Sequence, residues 1–133
     1  DALGLNPVID PSNLDPRFVR NRVRNELLPL MADISDRDPV PLLDRTAGLA
    51  RAVGADIEAM AAALDPTDTR DLAGRPDTVV HQALRVWLTD GLGHPPSAAE
   101  IERVMAVVRH EVTACELSGG RRVERSGGVL AVR

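Results

Sequence analysis

Arg17, Arg20, Arg22 and Arg24 fall within eight residues of one another, in the stretch "DPSNLDPRFVRNRVRNELLPL". A guanidinium is planar, stays charged at any working pH and binds phosphate oxygens two at a time. Such a cluster can therefore hold a phosphate backbone. Its setting is unusual, because the chain carries a net charge of -4 and contains no lysine. Residues 15–24 sum to +3, residues 119–133 (with Arg121, Arg122 and Arg125) sum to +3, and the remainder sums to -10. Two basic stretches around an acidic middle suit a polyanion-binding face. Solvated surface arginines fit the same charge pattern, and on charge alone that reading is preferred. The all-arginine usage itself points to genome composition.

Other chemistry has little to work with. His81, His94 and His110 lie far apart without metal-ligand spacing, and a single cysteine, Cys115, makes a zinc site improbable. Cys115 reads as a small buried strand residue and His81 as part of a packed helix face. The one cysteine also rules out an internal disulfide framework and suits a reducing compartment. The triplet Ser-Gly-Gly occurs at 118–120 and 126–128. A pyrophosphatase-type nucleotide loop begins Ser-Gly-Gly-x-Asp-Ser, but here the continuations are "RRV" and "VLA", so both triplets read as hairpin turns. No catalytic residue, metal site or cofactor site is expected in this chain.

The elements that must position the arginines follow from periodicity. Asp15 followed by Pro16 reads as an N-cap with proline at the first helical position. A helix from there to about Leu28 puts Val19, Val23, Leu27 and Leu30 on one stripe, and Arg17, Arg20, Asn21 and Arg24 on another. Arg22 points elsewhere, toward an acidic partner inside the bundle, and Pro29 ends or bends the helix. Residues 38–64 read as a long amphipathic helix whose Leu42, Leu49, Val53, Ile57, Met60 and Leu64 form core. Gly48 and Gly54 weaken that helix or mark close packing. A polar connector over 65–75 leads to a third helix with Val80, Leu84, Trp87 and Leu88 inward, stopped at Gly91 or Gly93. Ser97 with Glu100 forms a capping box opening a fourth helix, with Ile101, Val104, Met105 and Val108 inward. The tail alternates around Gly-Gly pairs and predicts two or three antiparallel strands. The expected fold is mainly α: a bundle of about four helices closed by a short antiparallel hairpin or three-stranded sheet.

With 44% hydrophobic and 27% charged residues, the composition is that of a soluble globular domain. No apolar run reaches the roughly 20 residues of a membrane-spanning helix. The opening "DALGLNP" lacks the pattern of a signal peptide, and the missing initiator Met suggests a fragment or a processed start. The cytoplasm is the expected location. Phe18 and Trp87 are the only aromatics, and both are expected to face apolar surroundings.

The run D-P-S-N-x-D-x-x-F-x-R-N-x-V-R comprises Asp10, Pro11, Ser12, Asn13, Asp15, Phe18, Arg20, Asn21, Val23 and Arg24, and Glu26-Leu-Leu-Pro-Leu30 follows it. It resembles the signature downstream of the catalytic core in bacterial tRNA(Ile)-lysidine synthases. "LGLNPVI" before it and "LSGGRRVERSGGVLAV" at the end are similar in pattern but less specific. The resemblance is strong over about residues 1–31 and architectural over the helical middle.

The resemblance implies a concrete setting. Such enzymes use ATP, with magnesium, to adenylate the wobble cytidine of an isoleucine tRNA bearing a CAU anticodon, and then displace AMP with the lysine side-chain amine. Their catalytic centre lies in an N-terminal ATP-binding α/β domain, which this chain lacks. Residues 1–14 would be the linker and turn from that domain, and 15–133 the helical second domain that helps hold the tRNA. Arg20, Asn21 and Arg24 would face the active-site side, Arg17 would add general phosphate attraction, and Asp10, Ser12, Asn13 and Asp15 would shape the turn. Arg121, Arg122 and Arg125 form a second basic patch. The expected partners are the tRNA and the catalytic domain, with no membrane; oligomeric state stays open, a homodimer included. An interdomain ion-pair network is the competing role for the arginines. A helical interaction or dimerisation domain without RNA affinity, and a degenerate paralogue, are the competing functions.

Overall fold

The computed structural model describes residues 15–133, which fall into two units divided between Ala50 and Arg51. Asp10, Ser12 and Asn13 lie outside the described residues.

In the first unit, α1 (Val19–Arg22) runs into a π-helical turn (Val23–Leu27) and then α2 (Leu28–Ser35). Two expectations need correction here. The helix does not start at Asp15: residues 15–18 form a turn, and Phe18 stands at the N-cap. The Asp15 carboxylate instead accepts the Arg17 backbone N–H at 2.9 Å, an Asx-type turn. Nor does the helix end at about Leu28: of the end or bend expected at Pro29, the end does not occur, and the helix continues to Ser35. Proline has no N–H to give and its ring crowds the carbonyl four residues back. The backbone answers with a wider turn immediately before it, where the Leu28 N–H reaches the Val23 carbonyl, five residues back. After α2, Asp36 takes a left-handed conformation at φ 51°, and Asp38 Oδ1 accepts the Val40 N–H as α3 (Val40–Ala62) begins.

The second unit contains the end of α3, α4 (Thr69–Leu72), α5 (Asp77–Leu88), α6 (Ala98–Val108) and strands β1 (Ala114–Glu116), β2 (Arg122–Ser126) and β3 (Val129–Val132). The strands form an antiparallel meander in the order β1-β2-β3. The architecture is thus mainly α, closed by a three-stranded sheet as expected. Gly127 and Gly128, at φ 60° and 87°, make the two-residue turn between β2 and β3, a left-handed pair that favours glycine.

The core of this unit is aliphatic. Val80, Leu84 and Leu88 of α5 meet Ile101, Val104, Met105 and Val108 of α6, with Leu72, Leu117, Val123 and Leu130 from the connector and sheet. Trp87 packs at the margin, half-buried. Cys115 is half-buried in β1, and burial pushes its thiol pKa up. The expected inner face of α3 is a correction: Leu42, Leu49, Val53 and Met60 are each half exposed or more, and Ala61 is the buried residue of that helix. Gly48 and Gly54 have open space where a Cβ would stand, so close packing does not explain them.

Two polar anchors fix the layers. The capping box at α6 is complete, with Glu100 accepting the Ser97 N–H at 2.8 Å. Its other carboxylate oxygen accepts the Ser118 N–H at 2.7 Å, joining the start of α6 to the turn after β1. Thr69 donates both its N–H and its hydroxyl to the Gly128 carbonyl, at 2.9 and 2.8 Å, and so seats α4 on the β2–β3 hairpin.

Candidate nucleic-acid interface

The first basic stretch is built on the turn at 15–18. The Arg17 guanidinium clasps the Asp15 carboxylate, with Nε 2.9 Å and Nη2 2.7 Å from Oδ2. These bonds, with that from the Arg17 N–H, hold the Asp15 carboxyl below its usual range. The Asp15 carbonyl in turn accepts the Asn21 Nδ2 at 2.9 Å. Asn21, expected to face outward with the arginines, is 5% exposed and braces this turn. Arg22 pairs with Glu26 four residues on, Nη2 to Oε2 at 3.0 Å. Pairing was expected, but the partner lies on the same helix and both side chains are exposed.

Arg20 and Arg24 are different. Neither forms an ion pair among the described residues, and both are exposed. The Arg20 Cζ lies over the Phe18 ring, 4.7 Å from its centroid, within the roughly 6 Å reach of a cation–π contact. Phe18 is 42% exposed, which overturns its expected apolar-facing position. The cause is the shifted helix start: with the turn occupying 15–18, Phe18 sits at the N-cap instead of inside the helix. A Phe two residues before an Arg was the available signal. The expected single face of Arg17, Arg20, Asn21 and Arg24 therefore resolves into a clasped Arg17, a buried Asn21, and two exposed cations. Beside them, Val19, Val23, Leu27 and Leu30 share one groove with Arg22 and Glu26, so the apolar stripe is as expected.

The second basic patch is dispersed. Arg121 Nη1 donates to the Leu88 carbonyl at 2.8 Å and Arg125 Nε to the Val107 carbonyl at 3.3 Å, so each satisfies a carbonyl at the C-terminal end of a helix. Arg122 pairs with Glu116 at 3.2 Å. At the first Ser-Gly-Gly turn the Ser118 N–H is already held by the Glu100 carboxylate and is not offered to a phosphate. Among the described residues no group of three His, Cys, Asp or Glu side chains could hold a metal ion, and no helix is long and apolar enough to cross a membrane. His81 is half-buried on α5, with Nε2 3.5 Å from Glu102 Oε1.

No protein-family model matches the chain. Individual proteins do. The chain is 35% identical over 138 residues to a tRNA(Ile)-lysidine synthase from Nocardia farcinica, covering 98% of this chain and 42% of that protein. It is 34% identical over 134 residues to one from Corynebacterium diphtheriae, covering 98% and 44%. It is 37% identical over 145 residues to one from Salinispora arenicola, covering 98% and 43%. The chain thus spans less than half the length of the curated relatives it matches.

Proposed function

From a chain that belongs by sequence to the tRNA(Ile)-lysidine synthase family over 98% of its length, we propose a tRNA-contacting and positioning module of such an enzyme. The parent enzyme is the cytoplasmic, ATP-dependent ligase that attaches lysine to the wobble cytidine of the CAU-anticodon isoleucine tRNA. ATP and magnesium act at the catalytic domain, and this module alone has no ligase activity. The observation that carries the reading is the pair Arg20 and Arg24, two exposed guanidinium groups four residues apart without a carboxylate partner among the described residues. They stand in a stretch of charge +3 within a chain of charge -4. Phosphate is the ligand that guanidinium groups in this state bind best. Arg17 contributes through the turn it locks, and Asn21 through the brace it gives that turn.

Binding of the CAU-anticodon isoleucine tRNA, read by fluorescence anisotropy over a salt series, tests this. Each single-strand phosphate contact contributes about 0.7 to the slope of log K against log salt. The Arg20→Ala/Arg24→Ala variant is expected to bind more weakly, with a slope shallower by about 1.4. An unchanged slope in a folded variant would remove the arginines from the phosphate backbone.

A second reading rests on the exposed apolar groove of Val19, Val23, Leu27 and Leu30. It makes the same helix a protein-docking face, toward the catalytic domain or a second copy. Sedimentation equilibrium separates the two: concentration-dependent dimerisation with no tRNA affinity favours the docking face alone.

A further inference from the structure

We propose that Phe18 and Arg20 together form a stacking platform for an unpaired nucleobase of single-stranded RNA, with the edges of Arg20 and Arg24 each holding a neighbouring phosphate. This deepens the RNA-binding reading above and rests on it. The chain has one Phe and one Trp. Trp87 packs against the core, whereas Phe18 leaves 42% of its surface exposed. The open part of the ring can take a planar ligand where the surroundings give that ligand a reason to bind.

The surroundings supply one. The backbone that carries the ring is pinned: the Phe18 N–H donates to the Asp15 carbonyl at 3.3 Å, and the Phe18 carbonyl accepts the Asn21 N–H at 2.9 Å. The Asp15–Arg17 clasp and the Asn21 brace lock the turn from both sides. Arg20 lies over the ring at 4.7 Å and keeps its charge free of carboxylates among the described residues. The result is a positively charged π surface, with a second exposed guanidinium, Arg24, four residues after Arg20 and without an ion pair among the described residues. Nucleobases stack on aromatic rings and on guanidinium planes, and such stacking tolerates any base. A-form duplex RNA keeps its bases stacked inside, so the fitting partner is a loop or a single strand with splayed bases. A protein partner would meet an excess of positive charge here, which favours the polyanion.

The test uses the whole chain and two short single-stranded RNAs of one sequence, one carrying 2-aminopurine at its centre and the other an abasic position there. Stacking is expected to quench 2-aminopurine fluorescence on binding. Losing one base–aromatic stack costs about five- to 150-fold in affinity. The abasic RNA should therefore bind the unaltered protein more weakly by a factor in that range, and Phe18→Ala should lose the same factor on the 2-aminopurine RNA. Phe18→Ala should no longer distinguish the two RNAs, its salt slope should be unchanged, and Phe18→Trp should retain discrimination. Circular dichroism checks that each variant is folded. Equal binding of both RNAs by the unaltered protein, with normal salt dependence, overturns the platform and leaves the phosphate reading standing. Absence of binding to these RNAs and to the tRNA at low salt overturns both.

Discussion

Removing the hydroxyl at the start of α6 should loosen the joint between that helix and the sheet. In Ser97→Ala, the Glu100 N–H loses one of its two acceptors, the hydroxyl at 3.3 Å, and keeps the residue-97 carbonyl, while Glu100 Oε2 loses a donor at 2.7 Å. The Ser97 and Ser118 backbone donors to the carboxylate remain. Loss of a serine N-cap costs about 1 kcal/mol, within a range of roughly 0.5–2. Unfolding entropy of about 2.1 cal/mol/K per residue over the roughly 80 residues from Arg51 to Arg133 converts this to a Tm lower by about 6 °C. Differential scanning calorimetry at pH 7 reads it directly. Glu100 supplies the pH arm. Its hydrogen bonds to Ser118 and Ser97 hold its carboxyl well below the usual range. A depressed folded-state pKa means the contribution is fully present above the unfolded value of about 4.3 and is lost as pH falls through the folded value. Glu100→Gln should therefore melt below the unaltered protein by a constant margin from pH 8 to pH 5, and the margin should close on further acidification. A Ser97→Ala Tm within about 1 °C of the parent, or a Glu100→Gln margin that stays constant down to pH 3, would refute the reasoning.

Three further outcomes follow from single contacts. Thr69→Val keeps the shape of a buried residue but deletes its hydroxyl bond to the Gly128 carbonyl, and urea unfolding should show a loss of about 0.5–1.5 kcal/mol. Gly54→Ala adds a methyl group where no heavy atom lies within 4 Å, and should gain about 0.5–1 kcal/mol in the same assay. Pro29→Ala restores a backbone N–H, so the π turn should revert to an α turn; NMR through-hydrogen-bond couplings should then lose the Leu28-to-Val23 pairing.

Local signals were legible in the sequence wherever one motif decides one structure. Ser97 and Glu100 announced the capping box, the Gly-Gly pairs announced the hairpin turns, and Val80, Leu84 and Leu88 announced the inner face of α5. Signals that depend on a competitor were not. Asp15-Pro16 carries an N-cap pattern, but Arg17 captures the Asp15 carboxylate and turns the pair into a closed turn. Pro29 allows an end or a bend, and the choice between them depends on the wider turn that lets the helix run on. The apolar periodicity of α3 could not reveal that Leu42, Leu49 and Val53 would lie exposed, because periodicity names a face without naming what covers it. At the interface, the cluster of arginines was visible at once. Which of them stay unpaired among the described residues was not, since that depended on Asp15, Glu26, Leu88 and Val107 as partners for Arg17, Arg22, Arg121 and Arg125.

The arginine pair and its phosphate partner meet most directly in one titration: the CAU-anticodon isoleucine tRNA against the unaltered chain and the Arg20→Ala/Arg24→Ala variant, from low to physiological salt. Saturable binding that weakens with salt, and a variant slope shallower by about 1.4, is the predicted result. Equal affinity and equal slope for the two folded proteins would contradict it.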